Sequence, residues 1–445
     1  MNQQLGRREF LRRSSTAAIA LGSQAPLLSA VGSVSALEKL NIASIGVHNR
    51  AASNLKGVAT ENIVALADND SDLLEGAGVK YPNARRYRDY RVMLEKEAEN
   101  LDAVVVSTPD HSHAPAASMA MKMKKHVYCE KPLAHTIYEA RTLAELAARE
   151  GLVTQMGTQI HAEENYRLVV ELVQSGSIGE VREVHVWVGV DYSGRRLITG
   201  GQQPGHVDWD LWLGPSPSRP YCESVKEDGS VIGVHPFNWR WFWDYGTGSL
   251  GDFACHWMDL PHWALKLRQP SRISAAGPQP LLESTSSGLV VTYEYPARES
   301  LPPVTLKWYD GGNKPEILPT LKDAKGDPLD WKSGQLFVGS EGMILSNYSE
   351  NMLLPVEKFA GFKPPDPFIP RSIGHHQEWI QAIKSGGSTT CNFDYSGALT
   401  EAVLLGVVSY RSGQTLEWDA PSLRITNSAA AQQLIHKDYR KGWSL

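Results

Sequence analysis

The chain reads as an α/β protein: an N-terminal doubly wound parallel sheet, then an α+β domain with a large open mixed sheet. Three observations predict this. Short apolar runs at 39–46, 62–67, 101–108, 127–129 and 152–157 alternate with helix-length segments, the spacing of βαβ units. Several of these runs stop abruptly at residues suited to ligands: Gly46, Asp68, Pro109-Asp110 and Glu130-Lys131-Pro132. Beyond residue 160 the pattern changes. Val181, Val184, Val186, Val188 and Val190 are separated by more polar residues, as on a sheet strand with one apolar face.

A chain of 445 residues is too long for one ordinary domain and comfortable for two. The formal net charge of −5 and the lack of a basic run beyond the first residues argue against a nucleic-acid partner. No tandem repeat is present. The start differs from the rest. Arg7-Arg8-Glu9-Phe10-Leu11 precedes a weakly apolar, small-residue run that ends at Val34-Ser35-Ala36. This resembles a twin-arginine signal over residues 1–36, which predicts a protein that is periplasmic or otherwise exported by the twin-arginine machinery; the alternative is a basic arm or a membrane anchor. Gly22, Ser23, Gln24 and Pro26 interrupt the run, so no stable membrane span is expected there. Removing the segment takes away four arginines and one glutamate, moving the net charge from −5 to −8. The four cysteines have neither disulfide-framework nor zinc-site spacing and read as small buried hydrophobes.

The first run ends in Gly46 and a helix can start soon after, where a dinucleotide fold carries Gly-x-Gly-x-x-Gly/Ala. Gly46 and Ala51 fit the first and third positions, and His48 replaces the second glycine. Gly46, His48, Asn49 and Arg50 are the candidates for the pyrophosphate turn. Asp68, after the second run, stands where an acid holds the adenosine ribose; its other reading is a helix cap. Asn69 and Asp70 bring no cation for a 2′-phosphate, so NAD is expected rather than NADP. Ser107, Thr108, Pro109 and His113 follow the clearest buried strand and face the same crevice, and Gln159 lies just beyond the last one.

Glu130 and Lys131 sit at a strand tip that Pro132 terminates, where a lysine can do proton work; the bland alternative is a surface turn. Downstream, Asp252 and His256 are four apart and share a helical face, so the carboxylate can orient the imidazole. A metal set of Asp252, His256, Asp259 and His262 is disfavoured, because ligands on one helix do not easily converge. No metal is expected. Eight of the thirteen tryptophans lie between Trp187 and Trp263. Aromatic rings stack on sugar faces but fill cores equally well. Trp241 and Asp259 are the weaker candidates for substrate contact.

Together the glycine turn, Ser107-Thr108-Pro109-Asp110 with His113, Glu130-Lys131-Pro132 and the Asp252-x-x-x-His256 helix resemble the Gfo/Idh/MocA oxidoreductases. The resemblance implies a Rossmann domain over 37–160 and a substrate and oligomerisation domain over 161–425; the aromatic and basic end, Tyr439-Arg440-Lys441-Gly442-Trp443, is expected to dock on the first domain or a partner subunit as a tail over 426–445. It implies a tightly held NAD(P), hydride transfer at a sugar or cyclitol carbon, a homo-oligomer, and Lys131, Asp252 and His256 as the catalytic set. The expected activity is that of an exported NAD-dependent sugar dehydrogenase. Two alternatives stand beside it: glycoside cleavage through transient oxidation, and a non-catalytic carbohydrate-binding relative. His48 favours the last; the intact Lys131 argues against both.

Overall fold

The computed structural model describes residues 38–445; the expected signal at 1–36 lies outside them. Within the described residues, the first domain is built on β1 (Asn41–Ile45), β2 (Asn62–Ala67), β3 (Arg85–Tyr87), β4 (Ala103–Val106), β5 (His126–Glu130) and β6 (Thr154–Gly157). They form one parallel sheet in the order β3-β2-β1-β4-β5-β6. The predicted runs all became strands. β3 had no counterpart among them, because three mostly exposed residues that include Arg85 and Arg86 carry no apolar period. The chain leaves β1 in one direction along the sheet and returns through β4 in the other. Ligands bind in the crevice at such a switch point.

Local chemistry starts and stops the helices. Asp70 caps Ser71–Lys80 by accepting from the backbone of Asp72 and Leu73. Thr136 and Glu139 form a reciprocal capping box on Ile137–Glu150, which ends at a left-handed Gly151. That helix lies against Phe393–Ser412, a twenty-residue helix buried over most of its length. Arg141 fixes the pair by a fork of hydrogen bonds to Glu401, 3.0 and 2.8 Å.

The second domain contains a nine-stranded mixed sheet in which β7 (Val181–Trp187) is an interior strand. β7 pairs parallel with Val304–Tyr309 and antiparallel with Gly334–Gly339. Val181 and Val184 are both buried although they are out of phase. A bulge places Val181 opposite Gly339 and Glu183 opposite Val338, so Arg182 is the extra residue and the apolar face is restored. Cys129, Cys222, Cys255 and Cys391 are buried and unpaired. No helix among the described residues is long and apolar enough to cross a membrane.

Candidate active site

A cavity of about 410 Å³ runs along the switch point of the parallel sheet and on to the helix Gly248–Trp257. Its wall includes Gly46, His48, Asn49, Arg50, Asp68, Ser107, Thr108, Pro109, Glu130, Lys131, Asp252 and His256. Residues spread over 211 positions of sequence therefore share one space, because strand tips and one helix start converge there.

At one end is the β1 turn. Gly46 has φ +90°, and a Cβ there would lie 2.4 Å from the Ser107 carbonyl oxygen. Glycine is required by both the conformation and this close approach. The left-handed φ of the next turn falls at Asn49 (φ 52°), not at His48. His48 is exposed and lines the cavity mouth, so the missing second glycine imposes no backbone conflict. Asp68 follows β2. Its Oδ2 accepts from the Val47 amide at 3.1 Å and its Oδ1 from the Asp70 amide at 3.0 Å. Each oxygen keeps a lone pair for a ribose hydroxyl, so the turn and this acid fit a dinucleotide.

Burial pushes the Asp68 carboxyl up to about 6, against the pull of the Asp70 amide, His235 and the Val47 amide. Ribose hydroxyls donate to the ionised form. NAD affinity is therefore expected to be full above about pH 6 and to fall as pH drops through it, by up to about tenfold per pH unit. The cofactor-free fold follows the opposite course: with the folded value raised, this group's contribution is fully present below its unfolded value of 3.8 and is lost as pH rises through about 6. Calorimetric titration of NAD across this range checks the first statement. An Asp68→Asn chain should bind more weakly with a flatter profile.

At the other end lie Lys131, Asp252 and His256. Lys131 Nζ donates to Asp252 Oδ1 at 2.7 Å and to the Asp252 carbonyl at 2.6 Å. The Tyr192 hydroxyl donates to Asp252 Oδ2 at 3.2 Å, and Arg240 Nε lies 3.8 Å from the same oxygen. Burial pushes the Asp252 carboxyl up, but the charges of Lys131 and Arg240 outweigh it and hold the group below its usual range. The sequence pairs Asp252 with His256; in the structure the carboxylate's hydrogen bonds go to Lys131 and Tyr192 instead. His256 Nδ1 is buried without a partner, which leaves Nε2 as the nitrogen open to the cavity. Burial, and then the Lys131 charge, drive His256 well below the ordinary histidine value, against Asp252. The imidazole is therefore held in its neutral form.

Glu130 is buried and is held by Asn54 at 2.8 Å and Gln159 at 2.7 Å. Gln159 also donates to the Tyr128 hydroxyl at 2.8 Å. It thus acts from behind Glu130 rather than as a cavity wall. His113 is likewise moved back: its ring nitrogens lie 2.7 Å from the carbonyls of Pro132 and Thr108, bracing the two strand-tip loops against each other.

Two weaker expectations are corrected. Asp259 is fully buried, bonded to His161 at 2.9 Å and to the Tyr395 hydroxyl at 2.7 Å, and stands outside the cavity wall. Trp241 is also outside it; it packs against Tyr192 at 4.4 Å and under the Arg195 guanidinium at 3.5 Å. Trp212 and Trp239 line the cavity in its place. Sequence reasoning assigned no role to Asp110, Arg240, Tyr192 or Arg88. Asp110 accepts from Thr247 at 2.8 Å, and burial, followed by the Asp252 charge, pushes it up to about 7. Its place after Ser107-Thr108-Pro109 was the one available signal. Arg240 sits within an aromatic run and gave none. Arg88 lines the cavity, but its guanidinium is tied to the carbonyls of Asn69 and His206 at 2.9 and 3.1 Å.

Comparison with known proteins follows the same division. Residues 39–158 match the family model for the oxidoreductase family with an NAD-binding Rossmann fold. Residues 167–298 match the C-terminal alpha/beta domain of that family. An uncharacterized oxidoreductase of Rhizobium meliloti is 30% identical over 177 residues, 40% of this chain and 52% of that protein. Myo-inositol 2-dehydrogenase of Thermotoga maritima is 28% identical over 129 residues, 29% of this chain and 38% of that protein. The chain thus spans about half or less of the length of these relatives. Levoglucosan dehydrogenase, solved with NADH and L-sorbose, shares the fold with a TM-score of 0.59 at 17% identity, over 86% of this chain and 99% of that one. The two family models together span more than half of the 445 residues, in the order that the two domains follow, and the chain belongs to the Gfo/Idh/MocA oxidoreductase family, with an NAD-binding Rossmann domain.

Proposed function

We propose that the protein is an exported NAD-dependent dehydrogenase that removes hydride from a hydroxyl-bearing carbon of a sugar, glycoside or cyclitol. The observation that carries this is Lys131 held on Asp252 at 2.7 Å, beside a neutral His256, in the cavity that reaches back to Asp68. When bound, NAD supplies the hydride acceptor. Lys131 Nζ is placed to donate to the substrate oxygen and to stabilise the charge that develops on it. His256 Nε2 is placed to take the hydroxyl proton. Asp252 and Tyr192 fix the direction of the ammonium. Asp110, near neutrality in its affinity for protons, lies in the same charged cluster and can share the proton released. Trp212, Trp239, Phe253 and Tyr348 supply apolar faces for a sugar ring, with Arg240 among them as a polar contact. Names among the relatives, including myo-inositol and inositol 2-dehydrogenases, support the substrate class. The Arg7-Arg8-x-Phe-Leu stretch supports export, and a cofactor held tightly enough to survive that route fits a twin-arginine leader.

The test is expression of the full chain, fractionation, and a panel of sugars, glycosides and cyclitols followed at the nicotinamide absorbance band. The expected result is a processed, periplasmic, NAD-loaded protein that reduces its cofactor with at least one member. Bound NAD that no member reduces removes the dehydrogenase reading. An unprocessed cytoplasmic product removes the export reading alone.

A further inference from the structure

We infer that the C-terminal segment, residues 436–445, is part of the dinucleotide site, with Trp443 walling the adenosine end of the cavity. The segment is tied to both domains at once. On the first domain, Arg91 donates to the Gly442 carbonyl at 3.1 Å and lays its guanidinium over the Trp443 ring at 4.1 Å. Lys122 Nζ reaches the Leu445 carbonyl at 2.5 Å, and the Tyr439 hydroxyl reaches Glu139 at 2.6 Å. On the second domain, Arg440 donates to the Gly214 carbonyl at 2.7 Å, takes the Pro215 carbonyl with its own amide at 3.2 Å, and pairs with Asp210. The segment therefore bridges the helix Tyr90–Glu97 and the short helix Trp209–Leu213.

Trp443 is half-buried and lines the cavity. It lines the same space as Asp68, Leu73, Tyr90 and Leu211. Tyr90 and Trp443 have ring centroids 6.0 Å apart. Asp68 marks this as the end that receives the adenosine ribose, so the base attached to that ribose meets a wall of Leu73, Tyr90, Leu211 and Trp443. A flat heteroaromatic ring is the ligand such a wall suits. Arg91, bonded to Asp89 at 2.7 Å, and Arg440, bonded to the Gly214 carbonyl at 2.7 Å, hold the indole in place. The energetic consequence is retention. Departure of the nucleotide requires either a path past this wall or release of contacts to both domains.

Calorimetric titration of the nucleotide-stripped full-length chain tests the assignment. Trp443→Ala is expected to weaken NAD about tenfold and AMP by the same factor, while nicotinamide mononucleotide is unaffected. Trp443→Phe should recover most of the loss. Equal NAD affinity in the wild-type and Trp443→Ala chains, or a loss confined to nicotinamide mononucleotide, overturns the proposal. A lower melting temperature with unchanged NAD affinity also overturns it, since the segment would then be a strap only. Hydrogen exchange on the wild-type chain decides the matter if the alanine variant does not fold. Adding AMP should slow exchange across 436–445, and unchanged exchange there counts against the assignment.

Discussion

Lys131→Met is expected to leave NAD bound and to lower kcat/KM by about a thousandfold or more, within the range for loss of a proton-handling and charge-stabilising group. It is also expected to cost stability. The Lys131 and Asp252 side chains are 13% and 7% exposed, so the pair is largely shielded from water. Removing one member of a buried pair typically costs about 3–5 kcal/mol, because the other charge stays behind. The lower end applies here, since the Tyr192 hydroxyl and Arg240 remain beside Asp252. Adding Asp252→Asn to Lys131→Met should restore most of the melting temperature and none of the activity. That combination separates the two effects. Steady-state kinetics together with denaturant unfolding on the three chains makes the measurement, and a Lys131→Met enzyme with unaltered kcat would remove Lys131 from the reaction.

Gly46→Ala should abolish measurable NAD binding and destabilise the first domain by about 2 kcal/mol or more. The backbone at Gly46 is held where it is: its amide bonds to the Ala67 carbonyl at 2.8 Å, and its carbonyl accepts from Ser44 Oγ at 2.8 Å. A methyl group there meets the Ser107 carbonyl at 2.4 Å, so either β1 or the loop after β4 must shift. Both carry residues that line the cavity. His48→Gly, by contrast, should change NAD affinity less than about threefold, because the positive φ of the turn belongs to Asn49. A large gain in NAD affinity in the glycine variant would show that the histidine obstructs the pyrophosphate after all. Titration calorimetry on both variants decides between these outcomes.

What the sequence determined by itself follows from local physics. Apolar runs of strand length, each stopped by glycine, an acid or proline, specified five of the six strands of the parallel sheet and put Asp68, Ser107 and Glu130 at their tips. The four-residue spacing of Asp252 and His256 specified a shared helical face. Helix caps are local too, but the cap that the sequence offered at Asp68 falls at Asp70 in the structure. β3 escaped because three exposed residues have no period to read.

Tertiary structure alone decided which of these groups touch. Asp252 bonds to Lys131, 121 positions away, rather than to the histidine one turn along its own helix. No local rule distinguishes those partners; the choice depends on where the tip of β5 meets the helix Gly248–Trp257. The tryptophans show the same limit. An indole buries equally well in a core or a ligand wall, so the sequence could not separate Trp241, packed under Arg195, from Trp212 and Trp239, which face the cavity. Asp259 looked available beside His256 and is instead sealed against His161 and Tyr395, because burial of a carboxylate is set by elements that arrive from elsewhere in the chain. Trp443 is the extreme case: 375 positions separate it from Asp68, and only the closing of the chain over both domains brings them to one cavity.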